Sequence, residues 1–222
     1  MDNPPAIDIP TRQERRDARE NRDRLLAAAK QLFGAQGIDA TSMYEIARAA
    51  GVGQGTLYRH FADKGEICHA LIKEDLAAFM ERVGAMIGGD QAGVAPLARL
   101  DTLIAEKNRL TESHLPLFAA MDGASAGARR TKPFRGPFHT WLHQQISVLL
   151  GEALALGEIA ELDIAFTADA ILAATAPPLY QYQRHELGYS GERITAGMRR
   201  LFIEGLRQHA AYKEGVQSCR RN

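Results

Sequence analysis

Cysteine is scarce in this 222-residue sequence: Cys68 and Cys219 stand far apart and match no zinc-ligand spacing. Two isolated thiols fit a reducing compartment and a fold that needs no disulfide staples. Net charge is lacking too, with 27 Lys plus Arg against 27 Asp plus Glu, and residues 1–66 balance as well. Bulk charge therefore gives no argument for nucleic acid, and any such reading must rest on where individual residues sit. No apolar run approaches the roughly 20 residues that cross a bilayer. The start, Met1-Asp2-Asn3-Pro4-Pro5, has no basic stretch leading into an apolar one, so no secretory signal is expected and the protein reads as cytoplasmic, with no membrane partner. Period-two alternation is rare, which argues against a sheet protein.

What is present is helical patterning. The hydrophobic fraction of 45% and charged fraction of 24% suit a folded chain long enough to bury a sizeable core. Pro4, Pro5 and Pro10 suggest a flexible arm over residues 1–18. Arg12, Arg15, Arg16, Arg19, Arg22 and Arg24 outnumber the acids interleaved with them. That stretch reads equally as a solvated helical face or as an arm along DNA phosphates. A first helix is expected from about Arg19 to Gln36, on Leu25, Ala28, Ala29, Leu32 and Phe33, with Gly37 as its stop. Ser42 and Glu45 have capping-box spacing and open a second helix that ends at Gly51. A third covers about Gln54 to His60, and a fourth starts near Asp63 and ends at Gly88-Gly89. Further helices are expected at 96–112, 114–122, 134–156, 164–187 and 191–211, with a loop over Gly123 to Gly136 and a kink or break at Pro177-Pro178.

The stretch from Thr41 to Lys64 carries the function. Two short helices are joined at Gly51-Val52-Gly53, with small Ala47 where they should touch. That is the construction of a helix-turn-helix, with its motif at about 42–61. In the second of these helices only Leu57 and Phe61 look core-directed. Gln54, Thr56, Tyr58, Arg59 and His60 project elsewhere. Gln can read adenine, Thr can meet a thymine methyl or a phosphate, and Arg can pair with guanine or phosphate. Gly55 allows close backbone approach, and Lys64 starts the next helix, where phosphate can be engaged.

Through Thr41-Ser42, Ile46-Ala47, Ala50-Gly51-Val52, Gly55-Thr56-Leu57-Tyr58-Arg59-His60-Phe61 and Lys64, the sequence resembles the TetR family of regulators. The resemblance covers about the first third of the chain. It implies an all-α protein with a three-helix DNA-binding domain (19–66), a helical sensor and dimerisation domain (67–211) and a tail (212–222). It places Gln54, Gly55, Thr56, Tyr58 and His60 at base- or phosphate-contacting positions, and Ser42, Tyr44 and Lys64 near the DNA backbone. It further implies a homodimer whose last two helices form a four-helix bundle across a twofold axis. A double-stranded DNA operator and a small-molecule effector are the implied partners, with the protein acting as a repressor. Gly65, a poor helix former, departs from good helix chemistry and would loosen the joint between the domains.

Candidate residues behind the motif follow from composition. Phe118, Met121, Phe138, Trp141, Phe166 and Tyr180 are the stock for a ligand pocket. Ile171, Leu179, Leu201, Phe202 and Leu206 supply an apolar dimer surface. His139 and His143 have a four-residue spacing that can bind metal but lack further ligands, so no metal or cofactor is expected. No nucleophile elbow, phosphate loop or paired acid-base constellation is present, and no enzymatic activity is expected. The alternatives are a DNA-binding accessory protein without ligand control, or a helical enzyme.

Overall fold

Glycines and caps set the helix ends of the first domain. In the computed structural model, which describes residues 12–88, 93–124 and 136–207, α1 spans Arg12–Gln36. The proline-containing arm, the loop beyond Ala124 and the tail with Cys219 lie outside the described residues. So do Phe134 and residues 208–211. The helix α1 starts seven residues before the expected Arg19, because its first turns are rich in Arg, Glu and Ala and need no apolar stripe to stay helical. It stops at Gly37, whose φ of +85° is open to glycine at little cost. Next come α2, Met43–Ala49, and α3, Gln54–His60. Ser42 and Glu45 form the expected capping box: Glu45 N–H donates to Ser42 Oγ at 3.2 Å, and Ser42 N–H donates to Glu45 Oε2 at 2.8 Å. Asp63 caps α4, Lys64–Ile87, by accepting from Glu66 N–H at 2.9 Å.

Leu25, Ala28, Ala29, Ile46, Ala47, Ala50, Leu57, Phe61 and Ile67 make one core. Four alanines in that set let helices barely two turns long approach closely, which such helices require to persist. α4 belongs to this core through Ile67 and to a second core through Phe79, Val83 and Ile87. It is the rod between the two, and Gly65 sits buried in its first turn.

The second core is built from α4, α5 (Pro96–Ser113), α6 (Leu115–Ala124), α7 (Pro137–Ala155), α8 (Ile164–Ala174), α9 (Pro177–His185) and α10 (Gly191–Arg199). α10 widens into a π-helical turn, Arg200–Glu204, and helix ends there, short of residue 211. The expected single helix over 164–187 is two. Pro177 and Pro178 have no N–H to continue the ladder of α8, but they suit the first turn of a new helix. Among the described residues there is no strand, only an isolated bridge between Ile159 and Arg207. No helix among them is long and apolar enough to cross a membrane.

One feature of this core is unusual. Glu106, Lys107, Asn108 and Thr111 are buried on α5. Burial pushes the Lys107 ammonium down to about 7. Its folded value thus lies below that of the unfolded chain, so the unfolded chain binds more protons between about pH 7 and pH 10. Thermal stability is expected to rise with pH across the lower part of that window, by up to about 1.4 kcal/mol per pH unit. Lys107→Met should flatten the rise, as measured by melting at each pH. Equal slopes in both proteins would contradict the assignment.

Candidate nucleic-acid interface

α3 is short and two-sided. Leu57 is fully buried and Phe61, its C-cap, is 2% exposed, so one side is seated on the core. Gln54, Gly55, Tyr58 and Arg59 form the other side and are exposed, with Thr56 and His60 half-buried between. Tyr58 is 54% exposed and Tyr44, in the first turn of α2, is 56% exposed. Large aromatic rings left in water by a folded domain are unusual when they cluster on one small domain.

Gly55 sharpens the point. A Cβ placed there would meet nothing within 4 Å inside the subunit. A helical glycine costs about 1 kcal/mol relative to alanine, and nothing in the subunit's own packing requires this one. It leaves room for something outside.

The charged groups are arranged more tightly than the sequence suggests. Arg59 lies back along its own helix, its Nε donating to the Gly55 carbonyl at 3.2 Å and its Nη2 to Thr56 Oγ1 at 3.4 Å. Arg22 stacks over Phe61 at 4.5 Å from the ring centroid. Burial, with Arg22 and Arg59 nearby, lowers the His60 imidazole below its ordinary value and so favours its neutral form. Ser42 is exposed but occupied by its capping box with Glu45. Arg48, not among the expected contacts, is exposed one turn on from Tyr44. Its four-residue spacing from Tyr44 was the available signal.

Lys64 corrects an expectation. Rather than reaching outward for phosphate, its half-buried ammonium donates to the Ile38 carbonyl at 2.6 Å and the Asp39 carbonyl at 3.3 Å. It straps the start of α4 to the turn between α1 and α2. Lys64→Met is expected to cost about 1–2 kcal/mol, the range for a charged hydrogen bond discounted for partial exposure. Denaturant unfolding checks this; a change within error would leave Lys64 free for phosphate.

Behind the N-terminal helices the expected pocket residues separate. Phe138 and Trp141 come together, packing edge-on against Phe79 with centroids 5.5 and 6.1 Å apart. Phe118 and Met121 are half-buried on α6, and Tyr180 is buried with its hydroxyl on Glu112. Phe166, at 71% exposed, points to solvent and lines no interior pocket. A surface groove lies elsewhere, between the start of α5 and the end of α7, lined by Pro96, Arg99, Glu152 and Leu156 among others. Of the expected dimer residues, Leu179 and Leu201 are exposed, and Phe202 and Leu206 are half-buried against the core. Ile171 is fully buried in its own subunit and has no surface to offer a partner. His139 and His143 lie on α7, and no group of three metal-binding side chains exists among the described residues.

Comparison with known proteins agrees with this geometry. Residues 25–71 match the family model of bacterial regulatory proteins, tetR family. An HTH-type transcriptional regulator of Staphylococcus aureus (strain USA300) is 47% identical over 66 residues, 30% of this chain and 36% of that relative. The match thus spans about a third of the curated relative's length. Among solved structures, a TetR/AcrR-family regulator of Thermobifida fusca aligns over 85% of this chain and all of its own, with a TM-score of 0.61 and 21% identity. The regulator FadR of Bacillus subtilis, solved in complex with stearoyl-CoA, aligns over 83% of this chain and 99% of its own, with a TM-score of 0.61 and 21% identity. Residues 25–71 thus match the DNA-binding domain of the tetR family, and the chain shares its fold with a solved TetR/AcrR-family regulator.

Proposed function

We propose that the protein is a ligand-responsive transcriptional regulator, a repressor that binds a double-stranded DNA operator as a homodimer and leaves it when a small molecule binds the C-terminal domain. The observation that carries this reading is the two-sided α3, anchored by Leu57 and Phe61 and presenting Gln54, Gly55, Tyr58 and Arg59 outward. A polar helix face with an unneeded glycine fits a major groove and serves no purpose in the subunit's own packing.

The dimer is supported by exposed apolar side chains on the C-terminal domain: Leu179, Leu201 and Phe166, with Val148 on α7 and Leu156 just past its end. One seven-residue recognition helix holds too little surface for specific binding, and a symmetric pair doubles it. Ligand control is supported by the fold shared with FadR, which was solved with stearoyl-CoA. An effector coupling of about 1–3 kcal/mol would weaken operator binding roughly 5–150-fold.

The test is selection of bound duplexes from a random library by the purified protein. A palindrome with half-sites centred about 34–36 Å apart, bound less tightly as salt rises, is the expected result. Enrichment of no sequence would contradict the reading.

A further inference from the structure

Two of the four buried polar side chains on α5, Glu106 and Thr111, are matched within the subunit. Glu106 accepts from Arg82 at 2.9 Å and also from Arg109. Thr111 Oγ1 donates to the Lys107 carbonyl at 3.0 Å, while Asn108 is half matched: its Nδ2 donates to Thr195 Oγ1 at 3.2 Å and its buried Oδ1 meets no protein donor. Lys107 is different. Its residue is 7% exposed, and its ammonium carries three N–H donors but meets one acceptor, the carbonyl of Thr175. No neighbouring charge supports it; burial is the whole cause of its depressed basicity.

Thr175 closes α8 just before Pro177 and Pro178, so the ammonium sits at the negative end of that helix. Capping accounts for one donor and leaves two. The surrounding charges do not supply an acceptor. On α7, His139 and His143 are half-buried; His139 feels the charges of His143, Asp169 and Lys107. On α8, Asp169 lies 3.5 Å from His143. Helix α7 packs on both α5 and α8, and the Lys107–Thr175 hydrogen bond joins α5 to the end of α8. The junction therefore gathers one ammonium and two imidazoles against one carboxylate, and that carboxylate is turned to a histidine. A buried cation without a counter-charge either sheds its proton more readily, as Lys107 does, or is held charged by an anionic partner. A single ammonium balances a single negative charge, which favours a carboxylate over a phosphate dianion.

We propose that Lys107 anchors the effector, and that the effector is a small organic carboxylate seated between α5, α7 and α8 with its anionic group on the Lys107 ammonium. The same contact draws Lys107 away from Thr175 and uncaps α8 at the proline break, which is where the signal enters the fold. This inference rests on reading the C-terminal domain as an effector sensor.

The experiment uses the full chain and two matched probe pairs, decanoate with 1-decanol and 4-phenylbutyrate with 4-phenylbutanamide. Thermal midpoint and release of the selected duplex are both read. At least one carboxylate is expected to raise the midpoint and release DNA, with its neutral counterpart at least about tenfold weaker. Lys107→Met should lose at least about tenfold in carboxylate affinity, read by the thermal midpoint, while Lys107→Arg retains most of it. Equal response to the neutral partner, an intact carboxylate response in Lys107→Met, or no response to either carboxylate overturns the proposal. Should Lys107→Met fail to fold, the comparison of charged with neutral probes on the parent protein and Lys107→Arg decides. Release by neutral probes alone would overturn the anionic anchor and leave a ligand-responsive regulator standing. Failure to bind any duplex would instead overturn the regulator reading.

Discussion

Leu57→Ala is expected to unseat α3, lowering stability by about 2–5 kcal/mol and abolishing DNA binding together with it. Leu57 is fully buried among Leu25, Ile46 and Ala47, and those neighbours belong to rigid helices that cannot close over a cavity. The helix has seven residues, too few to hold its shape without that anchor. Urea unfolding of the variant, monitored by circular dichroism, measures the loss. A change below about 1 kcal/mol would mean that α3 is held by something other than its apolar underside.

Gln54→Ala and Tyr58→Ala, combined, are expected to weaken operator binding by about a hundredfold or more while leaving the melting temperature unchanged. Both side chains are exposed, so neither contributes to the core. Each lost groove or backbone contact is worth about 1–3 kcal/mol, and two of them on one face reach that factor. The two variants separate the halves of α3: truncation beneath removes fold and binding, truncation above removes binding alone. Fluorescence anisotropy on the selected duplex gives the comparison. Undiminished affinity in the double variant would place the reading surface elsewhere.

The first four helices were legible in the sequence because their ends carry distinct chemistry. Gly37, the Ser42–Glu45 box, Gly51 and Asp63 each mark a boundary where the structure has one. The N-terminal extension of α1 was not, since residues 12–24 are polar but for Ala18 and periodicity has nothing to register there. α8 failed for the opposite reason. Its sequence IAFTADAILAA is apolar nearly all round, so the pattern cannot say that Ile171 faces in and Phe166 out.

Two lysines needed the fold to be placed. Lys64 reads as a phosphate ligand, and only the fold shows that the turn at Ile38, 26 residues away, takes its ammonium. Lys107 drew no reading from the sequence, yet it continues the buried positions Leu100, Leu103 and Ile104 on to Thr111 at helical spacing. That continuation was the signal that a lysine had been placed on a core stripe. Snorkelling to solvent would have been the ordinary outcome, and here the side chain stays inside.

The most direct measurement is amide hydrogen exchange on the full chain with and without its selected duplex. Slowed exchange at Gln54–His60 and at the start of α2, absent when a scrambled duplex is added at the same salt, is the expected result. Protection that spares α3, or that is the same with scrambled DNA, would contradict the claim that its outward face reads the groove.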